Sequence, residues 1–153
     1  MEKSKIREFR KKLRKFDRLN ELFNNTCCIG VTMAQCHALL EIEELGEATA
    51  NQLAKNLLLD KSTLSRTVDS LVRLGFVERK ENSIDRRYVT LVLSKEGIKK
   101  CNEINQKNDE TYNKMLSQLS KYEADSLLMN FDLFVKVLEN HMHGKNDQNS
   151  CCG

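Results

Sequence analysis

The sequence lacks proline and tryptophan altogether and contains only six glycines among its 153 residues. Because proline breaks a helix and glycine weakens one, their scarcity favours long uninterrupted helices and argues against an all-β sandwich or a loop-rich enzyme. A composition of 40% hydrophobic and 31% charged residues excludes an extended disordered chain. The broad class is therefore a mainly helical globular protein.

Long hydrophobic runs are also missing. No run approaches the roughly 18 apolar residues of a transmembrane helix, and the charged N-terminus, MEKSKIREFRKK, is followed by no hydrophobic segment of a signal peptide. We therefore expect a cytoplasmic protein with no membrane partner. Cysteine thiols stay reduced in the cytosol. A chain of this length also buries roughly 68 to 70% of its unfolded surface without the help of disulfide bonds, so the six cysteines do not predict a disulfide scaffold.

The first segment, about residues 2–23, has apolar residues at alternating spacings of three and four. This heptad-like seam predicts a helix that packs against another long helix, either of its own subunit or of a partner. The first 18 residues carry nine Lys or Arg against three acids, most simply a solvated face, and a net charge of only +3 is weak evidence for a nucleic-acid partner. Residues 24–31 are predicted to form a loop.

Three helix starts follow. Thr32 and Thr49 each have a glutamine three residues later, which is the spacing of a capping box, and Asp60 is a suitable N-cap for a third helix. Gly46 and Gly75 can supply the left-handed residue that ends a helix. The short second helix and the longer third one, joined only by residues 58 and 59, have the sequence shape of a helix-turn-helix.

The exposed face of the third helix is small, polar and basic. Small side chains allow close approach to phosphates, and arginine can bridge guanine O6 and N7 or a phosphate. A polar helix face is usually only solvated, so this interpretation depends on its neighbours. The predicted DNA-contacting residues of this helix are Lys61, Ser62, Thr63, Ser65, Arg66 and Arg73.

A β-hairpin is predicted directly after this helix. Residues 76–81 and 87–93 are β-rich and flank a polar turn, so together with the helix-turn-helix they predict a wing. Asp85 and Arg87 point the same way in an extended strand, so the carboxylate can orient the guanidinium for a narrow, negative minor groove, and Arg86 adds charge beside them. The alternative is an exposed ion pair worth under about 1 kcal/mol.

Two long helices close the chain. One is predicted from Ser94 to about Leu119, and the capping-box pair Ser120 and Glu123 opens the other, which has a broad apolar stripe. A two-fold partner would bury that stripe and the N-terminal seam.

Six segments together carry a family resemblance: residues 31–36, 52–54, 61–66, 71–79, 85–87 and 91–97. Their order and spacing resemble the MarR family of winged-helix regulators over about residues 2–142. The resemblance implies a mainly α fold with a small β-hairpin wing (α+β): a winged helix-turn-helix lobe at 31–94 and a helical dimerisation region at 1–30 and 95–143. The polar residues 144–153 are expected to form a flexible cysteine-containing tail.

In function, the resemblance implies a homodimeric transcription regulator, expected to be a repressor, that binds a palindromic operator in double-stranded DNA. Ser62, Thr63, Ser65 and Arg66 would enter the major groove, and Arg87, oriented by Asp85, the minor groove. The sequence has Cys36 where the family commonly has an aromatic residue. The alternative is a winged-helix protein-interaction module without DNA binding. An enzyme is not expected, because no Cys–His pair with an oxyanion-hole loop is evident.

The cysteines suggest an effector. Cys27, Cys28 and Cys36 lie within ten residues and could bind a soft metal such as zinc or cadmium, or arsenite, or could sense an oxidant. Cys151 and Cys152 could join such a site. The alternative is that Cys36 is an ordinary core residue and that the vicinal pair is incidental. The family's default effector would then be a small aromatic or phenolic ligand in the pocket between the dimer helices and the DNA lobe. No cofactor is required by this interpretation, and Cys101 is expected in the core.

Overall fold

The structure is a computed structural model, and it describes residues 2–27, 30–81 and 89–146. The expected fold class is confirmed, because this part of the chain contains six α-helices and a small antiparallel sheet. The elements are α1 (Lys3–Cys27), α2 (Met33–Leu45), β1 (Ala48–Thr49), α3 (Ala50–Asn56), α4 (Lys61–Arg73), β2 (Val77–Glu81), β3 (Val89–Leu93), α5 (Lys95–Leu116) and α6 (Lys121–Asn146).

The helix starts expected from the sequence are confirmed. Thr32 Oγ1 accepts a hydrogen bond from the backbone N–H of Gln35 at 3.3 Å, and Gln35 Oε1 accepts from the N–H of Thr32 at 2.8 Å. The pair Thr49 and Gln52 repeats both bonds, at 3.2 and 2.8 Å. Asp60 caps α4 by accepting from a backbone N–H of its first turn. These caps satisfy amides that a helix leaves unpaired at its N-terminus.

The sheet has the order β1-β3-β2, with both pairs antiparallel. The β2–β3 pairing runs from Val77 opposite Leu93 to Glu81 opposite Val89. Strand β1, which pairs Ala48 with Leu91, was not predicted from the sequence. A two-residue strand has no alternating pattern of its own and is defined only by the partner that it meets.

The chain divides into two compact units, Met1–Asp109 and Glu110–Gly153. In the first unit, a core forms between α2, α3, α4, the start of α5 and the sheet. Burial of each large apolar side chain contributes roughly 1.5 to 3 kcal/mol. Cys101 is fully buried, as the sequence predicted. The largest side chains of this core are Leu39, Ile42, Leu53, Leu64, Leu71, Val77 and Ile104.

The start of α5 is fixed against the start of β2. Ser94 Oγ accepts from the backbone N–H of Gly97 at 3.0 Å, as expected of a cap, and donates to the carbonyl oxygen of Gly75. The backbone N–H of Ser94 donates to the carbonyl oxygen of Phe76 at 3.0 Å. A Cβ on Gly97 would lie 2.0 Å from that same Phe76 oxygen, so only glycine allows the approach.

Three predicted helix ends differ from the observed ones. α1 continues through residues 24–27, which the sequence analysis assigned to a loop, and α6 reaches Asn146, although the tail was expected to begin at residue 144. Asparagine and glycine are weak helix formers, but they cost only about 0.5 to 1 kcal/mol each, which an established helix tolerates near its end. The predicted end of α5, at Leu119, lies three residues beyond the observed one.

The second unit contains the C-terminal part of α5 and the whole of α6. Ser120 caps α6 through a capping box with Glu123, as predicted. Many apolar side chains of α6 are half or more exposed: Leu128, Met129, Phe131, Leu133, Val137, Leu138 and Met142. Among the described residues, no helix is long and apolar enough to span a membrane.

Candidate nucleic-acid interface

Helix α4 presents opposite faces to the core and to solvent. Leu64, Val68 and Leu71 are buried on one face, so a large rotation of the helix about its axis would uncover them. The opposite face carries the side chains that the sequence analysis selected for DNA contact. Lys61, Ser62, Ser65, Arg66 and Arg73 are exposed, and Thr63 is partly buried.

The N-terminus of α4 is organised around Asp60. The hydroxyls of Ser62 and Thr63 both donate to its carboxylate at 2.6 Å, and the backbone N–H of Thr63 donates at 2.9 Å. These hydrogen bonds hold the pKa of Asp60 well below its usual range, and the bond from the Ser62 hydroxyl has the largest effect. Because both hydroxyls donate inward, their oxygens can accept outward, for example from base amino groups.

Arg66 lies along its own helix. Its Nε donates to the backbone oxygen of Ser62 at 3.3 Å, a long bond on an exposed surface. Such a bond is readily exchanged, so the guanidinium can turn outward and present its donor edge to a guanine or a phosphate. Arg73 lies in the last turn of α4, where a cation interacts favourably with the helix dipole.

An ion pair joins α4 to β2. Arg79 Nη2 donates to Asp69 Oδ1, and both side chains remain about half exposed. A pair exposed to this degree contributes about 0 to 1 kcal/mol, so it orients the two elements more than it stabilises them. This contact was not predicted from the sequence, because the two residues are ten positions apart on different elements and no local pattern connects them.

A cavity of about 230 Å³ opens between α3, α4 and the sheet. The sequence offered no signal for it, since its walls come from separate elements. Its floor is apolar, and its polar lining includes two cations and one of the predicted DNA-contacting serines. The lining residues are Ala50, Asn51, Lys61, Leu64, Ser65, Val68, Arg79, Val89 and Leu91.

Several predicted site residues lie outside the described residues. They are the wing residues Asp85, Arg86 and Arg87 and the cysteines Cys28, Cys151 and Cys152. Strand β2 ends at Glu81 and strand β3 begins at Val89, and the predicted tip of the wing falls between them, outside the described residues.

The remaining two cysteines of the predicted thiol site lie on different helices. Cys27 is the last residue of α1, and Cys36, on α2, is only 4% exposed. Within the part of the chain that the structure describes, no group of three or more His, Cys, Asp or Glu side chains could hold a metal ion. The thiol site as a whole therefore stays a prediction.

The short helix α3, the helix α4 with its polar outer face and the following strands β2 and β3, which pair with β1 in one sheet, define a winged helix-turn-helix protein. Comparison with known proteins agrees. Residues 31–89 match the model of the MarR family. The multiple antibiotic resistance protein MarR of Salmonella typhimurium is 31% identical over 104 residues, covering 68% of this chain and 71% of that protein. The chain belongs to the MarR family of transcription regulators and is not an enzyme.

Solved structures show the same relationship. A mutant MarR from E. coli, crystallised with operator DNA, superposes with a TM-score of 0.63 at 27% identity, covering 83% of this chain and 96% of that one. A MarR family protein from Bacillus stearothermophilus has a TM-score of 0.75 over 94% of this chain, and at 23% identity this likeness shows the fold alone.

Proposed function

We propose that this regulator is a homodimeric repressor that binds a palindromic operator through α4 and the wing and is released by an effector. The observation that carries the proposal is the outer face of α4, where Lys61, Ser65 and Arg66 are exposed while the opposite face is locked into the core. A helix held in this way can present a fixed set of donors to the major groove. The relative from E. coli that was solved with operator DNA supports this use of the fold.

On DNA, the contacts divide by chemistry. Arg66 suits a guanine edge, and Lys61 and Arg73 suit phosphates, while Ser62, Thr63 and Ser65 allow close approach. Arg87 of the wing would enter the minor groove with Asp85 orienting it, and Arg86 would contact phosphate. A protein-interaction module without DNA binding is disfavoured by this concentration of cations on and beside one helix.

The dimer is supported by apolar surface that the chain leaves uncovered. On α6, Leu128 is 58%, Met129 68% and Leu133 60% exposed, and on α1 Phe16 is 49% and Leu22 66% exposed. Exposed apolar side chains concentrated on one helix in this way are typical of an interface. A second copy would bury it, and the two-fold axis would set the two α4 helices on half-sites about one helical turn apart.

For the effector, we propose thiol ligation of a soft metal or arsenite, or oxidation, at Cys27, Cys28 and Cys36, with Cys151 and Cys152 as further ligands. Because Cys36 is buried, ligation through its sulfur requires that the start of α2 leave the core. Binding would then be coupled to a rearrangement next to α4, which is what release of DNA needs.

Titration of the reduced protein with arsenite or cadmium, and separately with peroxide, tests the thiol proposal. Thiolate absorption and DNA release should respond together to the soft ion if it is the effector, and only to peroxide if the effector is an oxidant. A protein with serine at all three positions should lose the response, and an unchanged response would eliminate this effector.

The cavity beside α4 favours a second candidate effector, a small aromatic anion. Arg79 and Lys61 supply positive charge at its lining, and Leu64, Val68 and Leu91 supply an apolar floor. An anion there would compete with Asp69 for Arg79 and would occupy space beside Ser65. Benzoate-type ligands at millimolar concentration should release DNA from the wild type and less effectively from Arg79→Met.

The binding proposal is tested by two arginine variants. Arg66→Ala and Arg87→Ala should each weaken operator binding by about 1 to 3 kcal/mol, and Arg87→Ala should lower the salt slope by about one phosphate equivalent. Arg10→Ala, which removes one exposed charge from α1, is the control for net charge and should bind as the wild type does. Unchanged affinity for both variants would remove these elements from DNA recognition.

A further inference from the structure

The side chain of Gln35 joins the first turn of α2 to α4. Its Oε1 accepts from the backbone N–H of Thr32 at 2.8 Å, closing the capping box, and its Nε2 donates to Ser70 Oγ at 2.9 Å. Both bonds are made by one planar amide. Their directions are therefore linked, and the cap that starts α2 also fixes a point on α4.

Ser70 occupies an edge of α4. At about 100° per residue, it lies between the buried face, which includes Leu71, and the exposed face, which includes Arg66 and Asp69. The Gln35 bond thus fixes α4 at one edge of its exposed face, and the ion pair of Arg79 with Asp69 lies on the exposed face itself. Since side-chain tips lie about 5 Å from the helix axis, a rotation of about 10° moves them by about 1 Å. Displacements of this size are sufficient to spoil directed hydrogen bonds.

We propose that Gln35 is a positioning residue for DNA recognition, which sets the rotation of α4 through Ser70 and so aligns Ser65 and Arg66 with the bases. The inference rests on the proposed DNA-binding role of α4. The chain contains its own comparison in Gln52, which makes the same capping box with Thr49. Among the described residues, the hydrogen bonds of Gln52 stay within that box.

The variant Ser70→Ala removes the acceptor and leaves the capping box intact, and alanine keeps α4 helical. The probes are a duplex selected by the wild type from a random library and an unrelated duplex of equal length. We expect affinity for the selected duplex to fall about five- to tenfold, while affinity for the unrelated duplex, which depends on phosphates, stays within about twofold. Ser70→Thr retains the hydroxyl and should restore the selected affinity to within about twofold of the wild type.

A cycle with Gln35→Ala separates positioning from direct contact and from simple loss of stability. The double variant should bind no more weakly than Gln35→Ala alone, because both changes remove one bond. Gln52→Ala removes only a cap and should leave the ratio of the two affinities unchanged. Three results would overturn the inference: losses of affinity that add in the double variant, a change in the ratio of the two affinities in Gln52→Ala equal to that in Gln35→Ala, or an unchanged ratio in Ser70→Ala. A wild type that selects no duplex would instead refute the DNA-binding proposal, and the inference would fall with it.

Discussion

At the scale of single residues, Gly97 is required by a close approach. The start of α5 meets the backbone of Phe76 so closely that a methyl group has no room, and the obstructing atom is a carbonyl oxygen that cannot move without disturbing β2. Buried cysteines show a related effect of packing on chemistry. Burial, aided by the charge of Glu43, raises the pKa of the Cys101 thiol to about 11. Cys101 is therefore a core residue with little thiolate at neutral pH, and not a sensor.

The variant Gly97→Ala should lower the free energy of unfolding by about 2 to 4 kcal/mol, because overpacking forces α5 away from β2. Equilibrium urea unfolding measures the change. Lys95→Ala, an exposed position in the same turn, is the control and should shift stability by less than about 0.5 kcal/mol. An equally small effect at Gly97 would show that the contact with Phe76 relaxes without cost.

The lowered pKa of Asp60 predicts that the stability of the fold depends on pH. Because its pKa is lowered in the folded protein from an ordinary value of 3.8, its charge stabilises the fold above that value, and the stabilisation is lost as pH falls toward the lowered one. Asp60→Asn keeps a good cap without the charge. The urea midpoint of the wild type should exceed that of the variant at about pH 6, and the difference should shrink on acidification below about pH 4. A difference that is constant with pH would contradict the assignment.

At the scale of elements, the local parts of the fold could be predicted and the long-range parts could not. The starts of α2, α3 and α4 could be predicted from their N-cap residues Thr32, Thr49 and Asp60, because a cap and its partner lie within one turn of the sequence. The polar face of α4 was likewise evident from its 3.6-residue period. Strand β1, the Arg79–Asp69 pair and the Gln35–Ser70 bond were missed, since each depends on which elements meet in space.

The turn between α3 and α4 offers an element-scale prediction. Leu58 has a φ of 53°, the left-handed region, and is 86% exposed, so its backbone is strained and its side chain gains little by packing. Asparagine tolerates this conformation. Leu58→Asn should therefore raise the free energy of unfolding by about 0.5 to 1 kcal/mol.

Leu74→Asn is the matched control in urea unfolding. Leu74 is also exposed, but its φ of −75° is unstrained. Leu74→Asn should therefore not raise the free energy of unfolding. An equal rise in both variants would mean that removal of an exposed leucine, and not relief of backbone strain, is responsible.

At the scale of the whole molecule, the proposed homodimer would bury the exposed apolar side chains of α6 against a second copy of the chain. Sedimentation equilibrium should give the mass of two chains for the wild type. Leu128→Glu combined with Leu133→Glu should give one chain, because two carboxylates would be buried without partners. Asn102→Glu adds a charge at an exposed position of α5 and should remain dimeric. A monomeric wild type would refute the dimer.

The central claim is that the outer face of α4 reads a DNA sequence. The most direct measurement is selection from a library of random duplexes by the wild type, with Arg66→Ala in parallel. We predict enrichment of a palindrome whose half-sites are about one helical turn apart, and relaxed preference in the variant at the base pairs that Arg66 contacts. Enrichment of no sequence over the starting library, or an identical palindrome and profile for both proteins, would contradict the account.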